Sequence, residues 1–338
     1  MPSEIQLSSR DELKFLKILR THFEAERFKK LNQLIKCSSL FFVADLNDSL
    51  LETRPKETKK QWELLDQYAF LVNSIASHIS QQRNTPIYFA IVTGNSYEYV
   101  RGRLLEPFDL SNHIVFSEEG LVARAFYSGW GYTSKPSSQY YAAGKRLTKK
   151  LHKDLQTKGK FWMQPNEIRL TIKPIMDPRN NPAWHDVLVP RILAFGEEVG
   201  FSNTVSSNVV GSIHLQFDAC DIHPNKVTVK HRDGKEETEV FVDKGYALRY
   251  LLKSEKGPGG VVLVDSINDI PLIREAAKSK LVSVAVANAD DALIREIPQN
   301  QLYKSKHSTT AAAIGTLSEF CLALFQKDYQ QRCIDSFD

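Results

Sequence analysis

The apolar residues of this chain gather into short continuous runs, and three of these runs end at a polar residue. They span residues 40–44, 86–92 and 260–264. Because they are continuous rather than alternating, they predict strands buried on both faces, as in a parallel sheet. The carboxyl ends of such strands form the edge where open α/β proteins bind ligands, so the residues that follow each run are candidates for a site.

Helical periodicity appears on both sides of these strands. In residues 1–37 leucine, isoleucine and phenylalanine recur at helical spacing, which predicts one or two amphipathic helices. Two interpretations of this extension remain open: it packs on the domain that follows, or it serves as an interaction or dimerisation arm. Toward the carboxyl terminus, a predicted strand over 282–286 precedes helices over 289–297 and 308–325. Strands alternating with helices predict an α/β fold with a Rossmann-like parallel sheet.

Residues 128–240 follow a different pattern, which predicts a second α/β domain. They open with a passage rich in Gly, Ser and Pro and then mix helical with alternating stretches. These stretches are 140–157, 167–175, 184–199 and 212–219. They predict a small antiparallel sheet that carries two helices. We therefore expect three parts: a helical extension (1–37), a core domain (38–127 and 241–338) and an inserted cap domain (128–240).

Three carboxylates stand just beyond the ends of predicted strands. Asp45 follows the first run, and Asp265 and Asp269 follow the third. A carboxylate that attacks an anionic phosphate needs a cation beside it, and Mg²⁺ prefers carboxylate, phosphate and water oxygens. Thr93 follows the second run, and Lys244 begins a predicted helix, so they supply a hydroxyl and a positive charge for phosphate oxygens. The set predicts a magnesium-dependent phosphoryl-transfer site.

Each of these residues also has an ordinary structural interpretation. An Asp after a strand often caps a helix, and Asp265 with Asp269 also fits a turn and a helix start. The pair Thr93–Gly94 is typical of a strand-end turn, and a lysine on a helix is usually solvated. The order and spacing of all the segments along the chain favour a site over these separate explanations.

The segments resemble the four signature motifs of the haloacid dehalogenase-like hydrolase superfamily, in its sugar-phosphatase branch with a large α/β cap. The resemblance covers roughly residues 38–325. It implies Mg²⁺ as the cofactor, an aspartyl-phosphate on Asp45, and a small-molecule partner that is a sugar phosphate or similar phosphomonoester. The implied catalytic residues are Asp45, Asn47, Thr93 and Lys244. The implied phosphate-binding residues are Thr93, Gly94, Lys244 and Asn268, and the implied metal ligands are Asp45, Asn47, Asp265 and Asp269.

Position 47 departs from the family pattern. The family's first motif is Asp-x-Asp-x-Thr, whereas this chain has Asp45-Leu46-Asn47-Asp48-Ser49. The family's second Asp donates and accepts a proton, but an amide only forms hydrogen bonds, so a slow phosphatase is expected. Two alternatives stay open. One is a phosphotransferase or phosphomutase that passes the phosphoryl group to a hydroxyl, and the other is a catalytically impaired, phosphate-binding regulatory protein.

The cap domain is expected to contact the organic part of the substrate. A sugar or polyol needs many hydrogen-bonding partners, and polar residues fall on the predicted cap strands or beside them. These candidates are Arg169, Lys173, His214, Gln216, Asp218 and Asp221. Alternation along a strand places about half of them on the outer face, without showing which half.

Composition narrows the remaining classes of protein. The chain has 338 residues, enough for two domains, and its net charge of +4 is small for that length. It shows no basic stripe interleaved with aromatic residues, which would indicate nucleic-acid binding. The four cysteines lack metal-site spacing and suit a reducing compartment. No apolar stretch approaches the roughly 20 residues that span a bilayer, and no signal-peptide core begins the chain. We expect a cytoplasmic protein without nucleic-acid or membrane partners.

Overall fold

The computed structural model describes most of the chain and divides it into two compact units. The described residues are 7–33, 37–52, 58–104, 113–125, 131–204, 209–231, 234–240, 242–253, 258–279 and 281–337. One unit, called the cap unit below, is Gly131–Val242, and the other, the core unit, comprises residues 1–130 and 243–338.

The strands of the described residues alternate with helices along the core unit and cluster in the cap unit. In chain order they are β1 (Ser39–Asp45), β2 (Ile87–Val92), β3 (His113–Ser117), β4 (Val122–Ala125), β5 (Gly131–Pro136), β6 (Phe161–Gln164), β7 (Leu170–Pro174), β8 (Phe201–Ser202), β9 (Gly211–Leu215), β10 (Cys220–Pro224), β11 (Lys226–His231), β12 (Glu236–Val240), β13 (Pro258–Val264), β14 (Val282–Ala285) and β15 (Leu302–Lys304).

The helices of the same residues are numbered in the same way. They are α1 (Ser9–His22), α2 (Ala25–Asn32), α3 (Thr58–Phe70), α4 (Ser77–Arg83), α5 (Tyr97–Leu104), α6 (Ser138–Lys153), α7 (Val189–Val199), α8 (Lys244–Leu252), α9 (Ile270–Lys278), α10 (Asp291–Glu296), α11 (Thr309–Leu324) and α12 (Lys327–Asp335). Short π-helical segments, Leu71–Ala76 and Trp184–Leu188, lead into α4 and α7.

A parallel sheet forms the centre of the core unit. Its parallel strands lie in the order β3-β2-β1-β13-β14-β15, and β4 pairs antiparallel with β3. Every residue of β1 is buried, as the continuous apolar run predicted. Gly260 of β13 has a φ of 153°, and a Cβ there would lie 2.2 Å from the Phe41 carbonyl oxygen, so the two central strands need a glycine at this point. The predicted α/β fold with a Rossmann-like core is confirmed.

The two helices predicted for the extension are α1 and α2. Their apolar side chains, among them Phe15, Leu19 and Leu31, belong to the same buried cluster as Leu317 of α11 and Phe42 of β1. Helix packing of this kind buries an amphipathic face that would be unstable alone in water. In the described residues, therefore, the extension packs on its own core unit.

The cap unit has a sheet covered by helices on one face. Its strands lie in the order β6-β7-β10-β9-β8, and they are antiparallel except for the parallel pair β8 and β9. Side chains of α6 and α7, including Leu147 and Ile192, form one buried cluster with Ile172 and Ile222 of the sheet. Gly200 ends α7 with a left-handed φ of 101°. Outside this sheet, β11 pairs antiparallel with both β5 and β12.

Helix ends were predicted less well than helices. The helix predicted over 140–157 begins earlier, where Ser137 caps it by accepting a hydrogen bond from the Tyr140 N–H. It also ends earlier, because the chain from Asp154 to Lys160 turns back on itself. None of the helices in the described segments is long and apolar enough to cross a bilayer.

Candidate active site

Asp45 stands at the carboxyl end of β1, in the middle of the core sheet. The register pairs Asp45 with Val92 of β2 and Ala44 with Leu263 of β13, so three adjacent strands end at one edge. Only 4% of the Asp45 surface is exposed. A carboxylate that is so enclosed needs either a cationic partner or a proton.

Lys244 is a cationic partner of Asp45. It is the first residue of α8, and the preceding Asp243 caps this helix by accepting a hydrogen bond from the Tyr246 N–H at 2.9 Å. The Lys244 Nζ donates to Asp45 Oδ1 and to Asp269 Oδ1, both at 2.8 Å. The buried ammonium therefore joins two acids that come from distant parts of the sequence.

Asp269 is fixed by the turn that carries it. The chain after β13 forms a 3₁₀ turn, Ile267–Asp269, in which Ser266 and Asp269 make a capping box. Asp269 Oδ2 accepts hydrogen bonds from the N–H groups of Asp265 and Ser266, at 3.2 and 3.5 Å. The Ser49 hydroxyl donates to Asp265 Oδ1 at 2.7 Å, which links this turn to the loop that follows β1.

The three acids have the composition of a divalent cation site. Asp45, Asp265 and Asp269 each offer a carboxylate oxygen, and these oxygens lie within 4.8 Å of one another. Three negative charges against the ammonium of Lys244 leave an excess that one divalent cation balances. A donor set made only of oxygen suits Mg²⁺. The residues present therefore fit the cofactor that the resemblance implies.

The pKa values of the cluster reflect its burial and the closeness of its acids. Burial raises the pKa of Asp45 well above its usual range; Lys244 opposes the rise, and Asp269 adds to it. Burial, and then Asp269, raises the pKa of Asp265 to about 7. Burial by itself would lower the pKa of Lys244, but Asp269, Asp45 and Glu119 raise it well above its usual range. The acids beside it therefore keep Lys244 charged.

Asn47 lies in the loop that leaves β1. This loop turns back on itself, since the N–H groups of Leu50 and Leu51 both donate to the Leu46 carbonyl, and Asp48 has a left-handed φ of 56°. The side-chain oxygen of Asn47 is enclosed and, within the described part of the chain, accepts no hydrogen bond. Because enclosed polar atoms are normally paired, this oxygen marks a place for a ligand hydroxyl or a water molecule.

Thr93 follows β2 at the same sheet edge as Asp45. Its N–H donates to the Phe116 carbonyl at 2.8 Å, and its hydroxyl accepts from the backbone and side-chain N–H groups of Asn95, both at 3.2 Å. Among the described residues no acceptor takes the hydroxyl proton, which is therefore left for a ligand. Gly94 lies next to Thr93 and is half-buried.

Asn268 is a predicted phosphate ligand that the structure does not join to the cluster. It lies in the 3₁₀ turn between Asp265 and Asp269, with its side chain exposed. No hydrogen bond in the described segments links it to the acids or to Lys244. Its role in phosphate binding stays a prediction.

Glu119 is a neighbour of the cluster that the sequence did not indicate. It lies in the turn Glu118–Gly120, where successive residues have left-handed φ values of 53°, 61° and 88°. The Glu119 N–H donates to the Thr93 carbonyl at 2.9 Å, and after Asp269 and Asp45 its charge helps to raise the pKa of Lys244. Gly120 signals a turn in the sequence, but no local signal shows which motifs that turn contacts.

Strand pairing in the cap unit decides which polar candidates share a face. Ile172, Ile213 and Ile222 pack in the cluster under α6 and α7, so the alternate residues of their strands lie on the opposite face. This face, called the open face below because α6 and α7 do not cover it, carries Trp162, Thr171, Lys173, Ser212, His214, Asp221 and His223. Trp162 and His214 are exposed on it, whereas Thr171, Ser212 and Asp221 are buried.

Asp221 is the centre of a hydrogen-bonded group on this open face. Its carboxylate accepts from Arg169 Nη1 at 3.1 Å, from the Thr171 hydroxyl at 2.6 Å and from the Gln216 amide at 2.7 Å. Asp218, in contrast, lies exposed in the turn between β9 and β10. Of the predicted cap candidates, Asp218 is thus the one outside the strands and away from this group.

Comparison with known proteins identifies the fold. No protein-family model matches the chain, and no curated protein does. The C-terminal domain of C. albicans trehalose-6-phosphate phosphatase aligns with a TM-score of 0.54 at 11% identity, over 89% of this chain and 98% of that one. The C-terminal domain of the Candida albicans trehalose synthase regulatory protein aligns with a TM-score of 0.52 at 9% identity, over 88% of this chain and 98% of that one. A Synechocystis sucrose-phosphatase aligns with a TM-score of 0.44 at 15% identity, over 84% of this chain and 98% of that one. The expected resemblance to a sugar-phosphate phosphatase is confirmed at the level of the fold.

Proposed function

We propose that the chain is a Mg²⁺-dependent phosphatase that hydrolyses a phosphomonoester through an aspartyl-phosphate on Asp45. The observation that carries this proposal is the buried cluster in which Lys244 Nζ lies 2.8 Å from both Asp45 and Asp269, with Asp265 beside them. Three acids with one lysine are a costly group to bury, and hydrophobic residues would stabilise a fold at least as well. Carboxylate attack on a phosphate, however, requires such a group.

Phosphate binding falls to Thr93 and Lys244. The Thr93 hydroxyl, which already accepts two hydrogen bonds from Asn95, donates its proton to a phosphate oxygen. The Lys244 ammonium adds positive charge next to Asp45 and favours the ionised form of that carboxylate, which is the form that attacks. Mg²⁺, held by Asp45, Asp265 and Asp269, would neutralise the phosphate oxygens and align them with the attacking carboxylate.

The reaction then proceeds in two displacements at phosphorus. An Asp45 oxygen forms a bond to phosphorus while the bond to the ester oxygen breaks, and the electron pair leaves with the alcohol oxygen. The Asn47 amide hydrogen-bonds to that oxygen but has no proton to give, so the proton comes from water. A water molecule then attacks the phosphorus of the aspartyl-phosphate, which releases inorganic phosphate and restores the Asp45 carboxylate.

The open face of the cap sheet supports a polyol or sugar as the organic part of the substrate. Trp162 is 43% exposed there, next to Lys173 in the strand pairing, and His214 is exposed on the same face. An aromatic ring among hydrogen-bonding side chains suits a molecule that has both C–H faces and hydroxyl groups. The substrate class we infer is therefore a small sugar phosphate or similar polyol phosphate.

Asn47 favours a second candidate, a regulatory protein that binds phosphate esters and turns them over hardly at all. The position lacks the acid that the family pattern requires, yet the other charged residues of the cluster are intact. Such a protein would still bind phosphate esters, but it would lack the acid that transfers protons during ester hydrolysis.

The deciding experiment is a screen of sugar phosphates and p-nitrophenyl phosphate, with Mg²⁺ or with EDTA. We expect phosphate release that needs Mg²⁺ and that disappears in Asp45→Asn and Asp269→Asn. The matched control is Asp66→Asn, which removes an exposed acid from α3 and should leave activity unchanged.

Other outcomes separate the alternatives. Transfer of the phosphoryl group to an added alcohol, without release of phosphate, would identify a phosphotransferase. Binding of sugar phosphates without turnover would favour the regulatory protein. Activity that survives Asp45→Asn would refute the proposed nucleophile.

A further inference from the structure

Arg27, at the start of α2, is completely buried in the core unit, and each of its N–H groups has an acceptor. Nε donates to Glu319 Oε2 at 2.6 Å, and Nη2 donates to Glu319 Oε1 at 3.0 Å and to the His22 carbonyl at 2.9 Å. Nη1 donates to Glu24 Oε1 at 2.9 Å and to the Ser305 hydroxyl at 3.0 Å. These bonds use all five donors of a guanidinium, so Arg27 is held in one orientation.

Helix α11 is shaped to receive this guanidinium. Gly315 faces it, and a Cβ at that position would lie 2.3 Å from Arg27 Nη2 and 2.7 Å from the His22 carbonyl oxygen. Glu319, one turn further along α11, also accepts a hydrogen bond from the Glu24 N–H at 2.5 Å. The extension is therefore docked by a specific buried ion pair, and apolar packing of α1 and α2 adds to it.

Glu24 carries this contact into the loop between β15 and α11. Its Oε1 accepts from the Ser305 hydroxyl at 2.8 Å, and its Oε2 accepts from the Tyr303 hydroxyl at 2.7 Å and from the Lys306 N–H at 3.1 Å. This segment, residues 303–310, is called the bracing loop below. With three of its residues bound to one carboxylate, the bracing loop has little freedom to move.

On one side, the bracing loop contacts the loop that follows β1. The Thr310 hydroxyl donates to the Leu50 carbonyl at 2.6 Å, and the Thr309 hydroxyl lies 3.4 Å from Glu52. Thr309 is buried and has a left-handed φ of 46°, which is unfavourable for a β-branched residue and persists only where the surroundings impose it. The same loop after β1 carries Asn47.

On its other side, the bracing loop contacts the segment that holds the metal-motif turn. The His307 carbonyl accepts from the Ala287 N–H at 2.9 Å. Three residues later, the Asp290 N–H donates to the Asp265 carbonyl at 2.8 Å, and Asp290 Oδ2 accepts from the Ile267 N–H at 3.1 Å. A continuous series of hydrogen bonds and short chain segments thus joins the extension to the loop that carries Asn47 and to the turn that carries Asp265 and Asp269.

We infer that Glu24 and Arg27 are positioning residues, which act through the bracing loop to hold the two loops that carry Asn47, Asp265 and Asp269. A role in catalysis rests on the proposed function, but the hydrogen bonds described above are present whether or not the protein is an enzyme. Through Glu24 and Arg27, the extension thus supports the candidate site without touching it. Direct hydrogen-bond partners of metal ligands change affinity or activity by ~10–100-fold when they are lost, and Glu24, which lies several contacts further away, is expected to have an effect near the lower end of that range.

The test uses the full-length variant Glu24→Gln. Its matched control is Glu26→Gln, because Glu24 immediately precedes α2 and Glu26 is an exposed acid in the first turn of that helix. Amide hydrogen exchange, Mg²⁺ titration and steady-state kinetics are measured for each. In Glu24→Gln we expect exchange at 48–51 and 265–269 to accelerate about tenfold, and the Mg²⁺ dissociation constant to rise about tenfold. We also expect kcat to fall while KM changes by no more than about twofold. Glu26→Gln should match the wild type in every measurement.

If Glu24 only holds the extension in place, Glu24→Gln should give a different result. Exchange would accelerate in α1 and α2 alone, with the Mg²⁺ affinity and kcat unchanged, and the inference would be overturned. If Glu24→Gln does not fold, Ser305→Ala decides by the same measurements, because it removes a hydroxyl between Arg27 and Glu24 and leaves the extension intact. If the wild type hydrolyses no ester, the proposed function fails, while hydrogen exchange and Mg²⁺ titration still decide the inference.

Discussion

Asn47 is the residue of the candidate site that is expected to limit the rate of the proposed reaction. An Asp at this position would give a proton to the departing alcohol and take one from the attacking water. The amide does neither, and its enclosed oxygen lacks a donor among the described residues. The cost depends on the leaving group, because a p-nitrophenolate departs without protonation and a sugar alkoxide does not.

We therefore predict that Asn47→Asp raises turnover on an alkyl or sugar phosphate by at least tenfold, since positioned acid–base catalysis is worth ~10²–10⁴ in rate. The gain on p-nitrophenyl phosphate should be much smaller. The measurement is phosphate release from both esters by the wild type and the variant, with the exposed Asn300→Asp as a control for the added charge. A wild type that is already fast, with a variant that is no faster, would assign the proton to another residue.

At this scale the sequence could predict the acids and the lysine but not their contacts. Asp45 and Asp265 were found because strand ends meet at one edge of a parallel sheet, and this depends only on the apolar runs before them. Lys244 donates to both Asp45 and Asp269 because of the way α8 packs, which the sequence does not show. The contact of Glu119 depends on a left-handed turn whose conformation the sequence around Gly120 does not fix.

Among the secondary-structure elements, α11 makes the most specific contact with the extension. It is buried along almost its whole length, and Gly315 lies against Arg27. A glycine in the middle of a helix normally costs about 1 kcal/mol relative to alanine. Here it leaves space for a guanidinium, so the usual preference should be reversed.

We predict that Gly315→Ala lowers the free energy of unfolding by roughly 1–3 kcal/mol, the usual cost of overpacking a core. The added Cβ would lie 2.3 Å from Arg27 Nη2 and 2.7 Å from the His22 carbonyl oxygen, so it displaces the ion pair. The matched control is Gly102→Ala in α5, where a Cβ would have no atom within 4 Å. That variant should be stabilised by about 0.5–1 kcal/mol. Urea unfolding measures both, and an equal gain in the two variants would contradict the packing argument.

Periodicity predicted the helices of the extension, but it did not decide between packing and an interaction arm. That choice depends on Arg27 and Glu319, which are 292 positions apart in the sequence and meet only in the fold. From the sequence alone, Arg27 is predicted to be exposed to solvent, because arginine is rarely buried without a partner. The carboxylate that makes its burial possible lies near the other end of the chain.

For the molecule as a whole, the histidines of the cap unit make stability depend on pH. Burial, and after it Arg169 and His214, hold the pKa of His223 well below its usual range. Ser212 is its neighbour across the strand pair, and Asp221 lies on the same face. Below about pH 6.5 the unfolded chain takes up a proton that the folded chain refuses, so stability falls as the pH falls through this window.

We predict that His223→Gln makes the cap unit lose less stability than the wild type between about pH 7 and pH 5, by up to about 1.4 kcal/mol per pH unit. The measurement is the denaturant midpoint at each pH. The exposed His185→Gln should follow the wild type. Identical pH profiles for wild type and His223→Gln would show that the folded chain binds this proton after all.

The two units are expected to divide the work, with the chemistry in the core unit and selectivity in the cap unit. We predict that Trp162→Ala, on the open face of the cap sheet, raises KM for the preferred sugar phosphate about tenfold, because loss of a contact made equally by substrate and transition state appears in KM. Hydrolysis of p-nitrophenyl phosphate, which has no sugar to bind, should change by less than about twofold.

Trp62→Ala is the matched control, since Trp62 on α3 of the core unit is 39% exposed and Trp162 is 43% exposed. Equal effects of Trp162→Ala on both esters would show that this face does not distinguish substrates, and equal effects of the two tryptophan variants would point to a loss of stability.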